Sequence, residues 1–215
     1  MTTFTHLIFD LDGTLINSRP GLQNSLNYML GQMGVALDGA LIVDELIGPP
    51  IQDGLKKVLG FDDKQVELGV RLFREYYGQH GLYEGDLYAG ALELLEELHQ
   101  QGKQLYVATS KKDQFVSTVL RHFELDRYLL DSQGAGDGGR HTKAGLITQL
   151  MDRNQIPPSE KVVMIGDTKY DVIGGQANEI STIAVGYGFG DSEELRALNP
   201  DYFVDEVEEL FELLV

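Results

Sequence analysis

Apolar residues follow two patterns that alternate along most of the chain. Short, mostly apolar runs without alternation of apolar and polar residues are typical of strands that are buried on both faces of a parallel sheet. Four such runs occur, at 4–9, 104–108, 161–166 and 182–185. Between them apolar residues recur three or four positions apart, as in Leu92, Leu95 and Leu98, and this spacing predicts helices. Strands that alternate with helices predict an α/β fold with a doubly wound parallel sheet.

The stretch from Leu15 to Tyr83 departs from this alternation, because its apolar residues keep a helical spacing and no strand pattern interrupts them. Pro20 and Gly34 delimit the first predicted helix of this stretch. We therefore predict a small helical cap domain at 15–83, inserted into a core made of residues 1–14 and 84–215. In the alternative arrangement, these helices are ordinary covering layers of one domain.

Polar residues directly follow three of the predicted strands, at Asp10, Thr109 and Asp167. The carboxyl ends of parallel strands meet at one edge of a sheet, where ligands bind. Two residues after Asp10, Asp12 adds a second carboxylate, and Gly13 lets the backbone turn approach a ligand closely. Neighbouring carboxylates repel each other unless a cation or a shared proton offsets their charge, and Mg²⁺ is the default cation for oxygen ligands. The alternative is an Asp-Gly turn beside another Asp.

Further candidates follow the other strands. Asp167 and Asp171 are four residues apart, which predicts that both lie on one face of a starting helix. Thr109 and Ser110 are expected to precede a helix and to hold an anionic oxygen at its N-terminus. Lys143 precedes an apolar helical segment and is the candidate counter-charge for the acids. Each has an ordinary alternative, namely helix capping for the acids and hydroxyls, and a solvated surface position for the lysine.

The glycine-dense stretch at 134–139 matches G-x-G-x-x-G formally and follows a possible strand at 128–130. The residues after it are polar where a nucleotide-binding helix should already have begun. We interpret the stretch as a loop that leads to Lys143, and we expect His141 to be a solvated loop residue.

Charge and composition restrict the partners. The chain has 34 acidic and 17 basic residues and a formal net charge of -17, which opposes nucleic acids and anionic membranes. A phosphorylated substrate would therefore need local positive charge and backbone N–H groups. Cysteine is absent, so disulfides and thiolate catalysis are excluded. Without a membrane-length apolar run or a signal-peptide pattern, we expect a cytoplasmic protein.

Taken in order along the chain, these motifs resemble those of the haloacid dehalogenase superfamily. The motifs are Asp10-Leu11-Asp12-Gly13-Thr14, Thr109-Ser110, Lys143 and Gly166-Asp167-Thr168-Lys169-Tyr170-Asp171. The insert is similar to the helical cap of the phosphoglycolate phosphatase-like subgroup, and Gly48-Pro49-Pro50 resembles the substrate-facing turn of that cap. One departure is Ala144, where many members have proline after the lysine.

The resemblance implies a Rossmann-like core and a Mg²⁺-dependent hydrolysis of a small phosphorylated metabolite through an aspartyl phosphate. It implies that Asp10 is the nucleophile and that Asp12 is the general acid and then the base. The implied ligands of Mg²⁺ are Asp10, the backbone carbonyl of Asp12, Asp167 and, directly or as support, Asp171. The implied phosphate-binding residues are Gly13, Thr109, Ser110 and Lys143.

The sequence leaves several alternatives open. A phosphomutase of the β-phosphoglucomutase kind would share every core motif, and inorganic pyrophosphate or a nucleotide is a further possible substrate. From another class, phospho-acceptor receiver domains also combine Asp, Thr and Lys on a doubly wound sheet. We expect specificity to depend on residues 48–52 and on Arg19, Lys111 and Arg140. The oligomeric state, monomer or dimer, is left open.

Overall fold

The computed structural model describes residues 4–39, 42–46, 51–136 and 141–215. The chain divides into two compact units, one comprising Met1–Asn17 and Leu87–Val215 and the other comprising Ser18–Asp86. The second unit is thus inserted near the position of the predicted cap, with both boundaries three residues later than 15 and 83.

The first unit is built on a six-stranded parallel sheet. The strands of the chain are β1 (His6–Phe9), β2 (Ile16–Asn17), β3 (Asp86–Leu87), β4 (Gln104–Lys112), β5 (Asp131–Ala135), β6 (Val162–Gly166), β7 (Ser181–Val185) and β8 (Tyr202–Val204). The order within the sheet is β5-β4-β1-β6-β7-β8, and each neighbouring pair is parallel. The predicted doubly wound α/β core is therefore confirmed.

Helices connect these strands and also form the second unit. Those of the second unit are α1 (Arg19–Gln32), α2 (Val43–Leu46), α3 (Ile51–Leu59) and α4 (Asp63–Gln79), followed by a 3₁₀ turn at Gly81–Tyr83. Those of the first unit are α5 (Ala91–Gln100), α6 (Asp113–His122), α7 (Lys143–Arg153), α8 (Lys169–Ala177), α9 (Ser192–Ala197) and α10 (Val207–Leu214). Among the helices that the structure describes, none has the length and apolar character needed to cross a membrane.

The central strands explain where the polar residues gather. The side chains of Leu7, Ile8 and Phe9 are completely buried, because β1 lies between β4 and β6 and is covered on both faces. Phe9 is in register with Val107 on one side and Ile165 on the other. The residues that follow these positions therefore emerge together at the carboxyl edge of the sheet, where the chain connections diverge to opposite sides of the sheet.

Two sequence predictions about strands are wrong. The strand expected at 128–130 is instead β5 at Asp131–Ala135, which ends inside the glycine-dense stretch, and Leu130 is exposed. A side chain at Gly134 would collide with the backbone of Asp113, so close packing of β5 requires glycine there. The other error concerns β4, which continues to Lys112 with an irregular register after Ala108.

Packing of helical faces stabilises the second unit. Buried Leu26, Met29 and Leu30 lie on α1, and Val70 and Phe73 are buried on α4, with helical spacing in both cases. The helix α4 begins with a capping box, in which the side chain of Asp62 accepts a hydrogen bond from the Gln65 N–H and the Gln65 side chain accepts one from the Asp62 N–H. The predicted Gly48-Pro49-Pro50 turn lies outside the described residues.

Candidate active site

Asp10 emerges from the end of β1 and is almost completely buried, with 7% of its surface exposed. Its backbone N–H donates to the Ile165 carbonyl over 2.8 Å, which fixes its position between two strands. Its carboxylate accepts hydrogen bonds from the Leu11 N–H at 2.7 Å and from the Lys143 ammonium at 2.8 Å. A carboxylate at the edge of the sheet is thus held in one orientation.

Lys143 begins α7, and its buried ammonium connects three oxygen atoms. It lies 2.8 Å from Asp10 Oδ2, 2.8 Å from Asp171 Oδ1 and 3.0 Å from the Ala108 carbonyl. Burial lowers the pKa of Lys143, but the two carboxylates outweigh burial and hold that pKa above its ordinary value. The alternative of a solvated surface lysine is therefore excluded.

Asp167 and Asp171 are held by different parts of the chain. Asp167 follows β6 and accepts from the Thr14 hydroxyl at 3.0 Å and from the Phe189 N–H at 2.8 Å. Asp171 lies in the first turn of α8 and accepts from the Thr168 N–H and hydroxyl at 2.9 and 2.7 Å. The prediction that both aspartates share a helical face is wrong, because α8 begins only at Lys169, after its N-cap Thr168.

The carboxylates of Asp10, Asp167 and Asp171 form a buried cluster in the described part of the chain. Each offers an oxygen within 4.8 Å of the others. Burial raises the pKa of Asp10 to about 6, an effect that Lys143 opposes, and burial together with Asp171 and Asp10 raises the pKa of Asp167 to about 8. Lys143 contacts Asp10 and Asp171, and Asp167 adds a third acid, so the fully ionised cluster carries excess negative charge. Oxygen donors with this charge fit a hard divalent cation such as Mg²⁺.

The side chain of Asp12 does not belong to this cluster. Its Oδ2 lies 3.0 Å from the ammonium of Lys111, and 24% of the Asp12 side chain is exposed. Its Oδ1 is buried and has no hydrogen-bond partner among the residues that the structure describes. The structure therefore places the Asp12 side chain outside the group of three carboxylates that could hold a metal ion. A role for its backbone carbonyl stays a prediction.

The predicted phosphate-binding residues have distinct surroundings. Thr109 is buried and its hydroxyl accepts from the Lys111 N–H at 3.2 Å, whereas Ser110 is exposed. Both lie within β4, and α6 begins only at Asp113, so their predicted position at a helix N-terminus is wrong. Gly13 has a φ of +86°, and any side chain there would collide with the Asp167 carboxylate.

Sequence reasoning missed the loop that follows β7. The Tyr187 hydroxyl donates to the Thr14 carbonyl at 3.0 Å, and the Phe189 N–H holds Asp167. A side chain on Gly188 would collide with Asp167, which explains a glycine at this close approach. The alternation of Gly186, Gly188 and Gly190 after a predicted strand was the available signal.

His141 also differs from its prediction as a solvated loop residue. The residue is half-buried, and its Nε2 is buried without a hydrogen-bond partner among the described residues. Residues 137–140, including Arg140, lie outside the described part of the chain.

Comparisons with known proteins show the family of this chain. The model of the haloacid dehalogenase-like hydrolase family matches residues 7–185. A 5'-nucleotidase of Pseudomonas aeruginosa is 36% identical over 98% of this chain and 96% of its own length. A phosphoglycolate phosphatase of Vibrio vulnificus is 30% identical over 97% of this chain and 95% of its own length.

Two further comparisons extend the range of related proteins. A tyrosine-protein kinase, PtkA of Mycobacterium tuberculosis, is 32% identical over 86% of this chain. The matched region makes up 62% of the length of that relative. A crystal structure from Clostridium difficile superposes with a TM-score of 0.94 at 37% identity and covers 100% of both chains. With a family match over most of its length and these relatives, the chain belongs to the haloacid dehalogenase-like hydrolases.

Proposed function

We propose that this protein is a Mg²⁺-dependent phosphatase that hydrolyses a small phosphomonoester through an aspartyl phosphate on Asp10. The observation that carries the proposal is that two carboxylates of one turn have different surroundings. Asp10 is buried and fixed by Lys143, whereas Asp12 keeps one oxygen without a hydrogen-bond partner among the described residues. A nucleophile must be ionised and fixed, and a group that transfers protons must have an oxygen available.

Asp10 would attack the phosphorus of the substrate, and its oxygen would replace the leaving oxygen. Lys143 favours the ionised form of Asp10, because its ammonium lies 2.8 Å from the carboxylate and offsets the unfavourable effect of burial. The same ammonium would offset the negative charge of the incoming phosphoryl group. The Thr109 hydroxyl and the backbone N–H group of Ser110 would orient the phosphoryl oxygens. The Gly13 N–H already donates to the Ile16 carbonyl at 2.8 Å, so Gly13 would contribute the close approach of its backbone.

Asp12 would protonate the leaving oxygen and then, as a carboxylate, accept a proton from the water that hydrolyses the aspartyl phosphate. This order returns both carboxylates to their starting states after one turnover. The different partners of Asp10 and Asp12 support the assignment of the two roles.

Asp10 and Asp167 would hold Mg²⁺ together with the backbone carbonyl of Asp12, and Asp171 would act as a further ligand or orient the cluster. When bound, Mg²⁺ would offset negative charge on the phosphoryl group. The excess charge of the three buried carboxylates supports this cofactor. The hydrogen bonds of Asp167 to Thr14 and Phe189 would keep that carboxylate oriented before the metal arrives.

For the substrate class, we propose a mononucleotide, a sugar phosphate or a phosphoglycolate-like acid. Similarity to a 5'-nucleotidase over nearly the whole chain makes nucleoside monophosphates the first compounds to test. A phosphomutase, a pyrophosphatase and a receiver-type phospho-acceptor are the alternatives that the same experiment has to separate.

The test is a phosphate-release screen with purified protein, with Mg²⁺ or with EDTA. The panel contains nucleoside monophosphates, sugar phosphates, phosphoglycolate, pyrophosphate and nitrophenyl phosphate. We expect Mg²⁺-dependent release from at least one monoester and no release by the Asp10→Asn variant. Release that persists in EDTA or in that variant would contradict the proposal. Isomerisation of a hexose phosphate without net release would indicate a mutase, and a stable phosphoprotein would indicate a receiver.

A further inference from the structure

Lys111 is the second buried lysine that contacts a motif carboxylate. Only 4% of its side chain is exposed, and its ammonium lies 3.0 Å from Asp12 Oδ2. The sequence predicted a role for Lys111 in substrate specificity. The structure shows a contact with the carboxylate to which the proposed function assigns proton transfer.

The backbone on both sides of this ion pair is fixed. Lys111 lies in the irregular part of β4, and its N–H donates to the Thr109 hydroxyl at 3.2 Å. Asp12 lies in a tight turn in which the Gly13 N–H donates to the Ile16 carbonyl at 2.8 Å. With both backbones held, the remaining freedom of Asp12 is rotation of its short side chain.

The ion pair restricts that rotation and distinguishes the two carboxylate oxygens. Oδ2 is engaged by Lys111, whereas Oδ1 is buried and has no hydrogen-bond partner within the described residues. A buried oxygen without a hydrogen-bond partner lowers the stability of the folded protein, so a catalytic role would explain why this oxygen is placed there. Proton transfer requires an oxygen that is held within hydrogen-bond reach of the reacting group.

We propose that Lys111 is a positioning residue, which anchors Asp12 through Oδ2 so that Oδ1 is the oxygen that exchanges protons. The inference rests on the proposed phosphatase function and extends it to a residue outside the four motifs. Protonated Oδ1 gives its proton to the leaving oxygen as the bond from that oxygen to phosphorus breaks. The resulting carboxylate takes a proton from water as the water oxygen bonds to phosphorus and the Asp10–phosphorus linkage breaks.

The experiment measures how strongly each variant depends on the leaving group. Wild type, Lys111→Met, Lys111→Gln, Lys111→Arg and Asp12→Asn are compared on phosphate esters from nitrophenyl to alkyl. The quantity measured is kcat/KM, because it includes only the steps up to release of the leaving group. Poor leaving groups need protonation and good ones do not, so loss of a positioned acid affects the esters unequally.

For Lys111→Met and Lys111→Gln we expect kcat/KM to fall about 30- to 100-fold on alkyl phosphates and less than about fivefold on nitrophenyl phosphate. Lys111→Arg should recover most of the alkyl activity, because it keeps a cation at the anchor. A double variant of Lys111→Met with Asp12→Asn should be no slower on alkyl phosphates than Asp12→Asn alone, since both changes remove one function.

The control is Lys56→Met, which removes the partner of Asp63 from an exposed ion pair and should leave every rate unchanged. Thermal unfolding curves verify that the Lys111 variants fold. Because Lys111 is replaced by Met in one variant and by Gln in another, the test still works if one of the two does not fold. An equal loss of kcat/KM on all esters would overturn the proposal. A rise in KM with unchanged kcat would also overturn it and would indicate that Lys111 binds substrate. A wild type that hydrolyses no phosphomonoester would overturn the proposed function as well.

Discussion

Asp10 and Asp12 lie on the same turn and are each paired with a lysine, yet their surroundings differ. Asp10 shares the buried Lys143 with Asp171 and lies in a cluster of three carboxylates. Asp12 is paired with Lys111, and its side chain is partly exposed. A pair of an aspartate and a lysine can therefore serve two purposes, and the access of the aspartate to solvent decides which purpose fits. A shared, buried lysine suits a fixed nucleophile, and a single anchored oxygen suits proton transfer.

The largest expected effect is that of Asp10→Asn, which removes the nucleophile but keeps the shape of the side chain. We expect kcat to fall by at least about 10⁴-fold, as for other enzymes that lose the nucleophile. Steady-state phosphate release measures the loss, and thermal unfolding verifies the fold. Activity within about tenfold of wild type would assign the nucleophile elsewhere and remove the distinction between the two aspartates.

Asp12→Asn should have a smaller effect, with kcat/KM on alkyl phosphates reduced by about 10²- to 10³-fold. Because the Asp12 side chain lies outside the three-carboxylate cluster, Mg²⁺ affinity should stay close to that of wild type. Calorimetric titration with Mg²⁺ measures this affinity without turnover. A large loss of affinity would show that the two carboxylates act as one metal site.

The two lysines should differ in their effect on stability. Lys143→Met leaves two buried carboxylates without their shared cation, and we expect a loss of about 3–5 kcal/mol in the free energy of unfolding. Lys111→Met should cost about 1 kcal/mol or less, because Asp12 is partly exposed and water can solvate it. Urea denaturation without Mg²⁺ compares the variants, and equal losses would contradict the difference in environment.

A further expected effect concerns pH and the metal. The pKa of Asp167 is raised by burial from 3.8 to about 8, so the folded state binds this proton more tightly than the unfolded state does. Below the unfolded pKa the group contributes nothing, and between about pH 4 and 8 its ionisation destabilises the metal-free fold. Wild type should thus lose stability relative to Asp167→Asn as pH rises through this window.

Bound Mg²⁺ should suppress that relative loss, because it favours the ionised carboxylates of wild type and the variant lacks one of them. Urea denaturation of both proteins at pH 5 and pH 8, in EDTA and in Mg²⁺, gives the four comparisons. If the stability difference between wild type and variant does not change with pH in EDTA, the three ionised carboxylates do not carry uncompensated negative charge.

The predictable part of the site lies where local sequence determines the position of a residue. Asp10 and Asp167 each follow an apolar run, so a parallel sheet brings them to one edge whatever the rest of the chain does. Lys143 was recognisable as a counter-charge only because several acids lacked one. The sheet core was predictable for the same reason, since β1 and β6 are apolar throughout their buried lengths.

The remaining features depend on tertiary contacts that no local pattern records. The strand β5 contains polar residues and glycine, and its place at the sheet edge follows from pairing with β4. The pairing of Lys111 with Asp12 depends on the irregular end of β4, and the contact of Phe189 with Asp167 depends on a loop 22 residues away in sequence. Backbone N–H groups are present at nearly every residue, so sequence alone cannot identify the one that binds a particular carboxylate.

The most direct test of the central claim is to locate the phosphoryl group during turnover. Protein mixed with a substrate that carries radioactive phosphate is quenched in acid within the first turnover and digested, and the labelled peptide is identified. We expect label on Asp10, sensitive to hydroxylamine as an acyl phosphate is, more abundant in Asp12→Asn and absent from Asp10→Asn. Phosphate release without any labelled protein, or label on another residue, would contradict it.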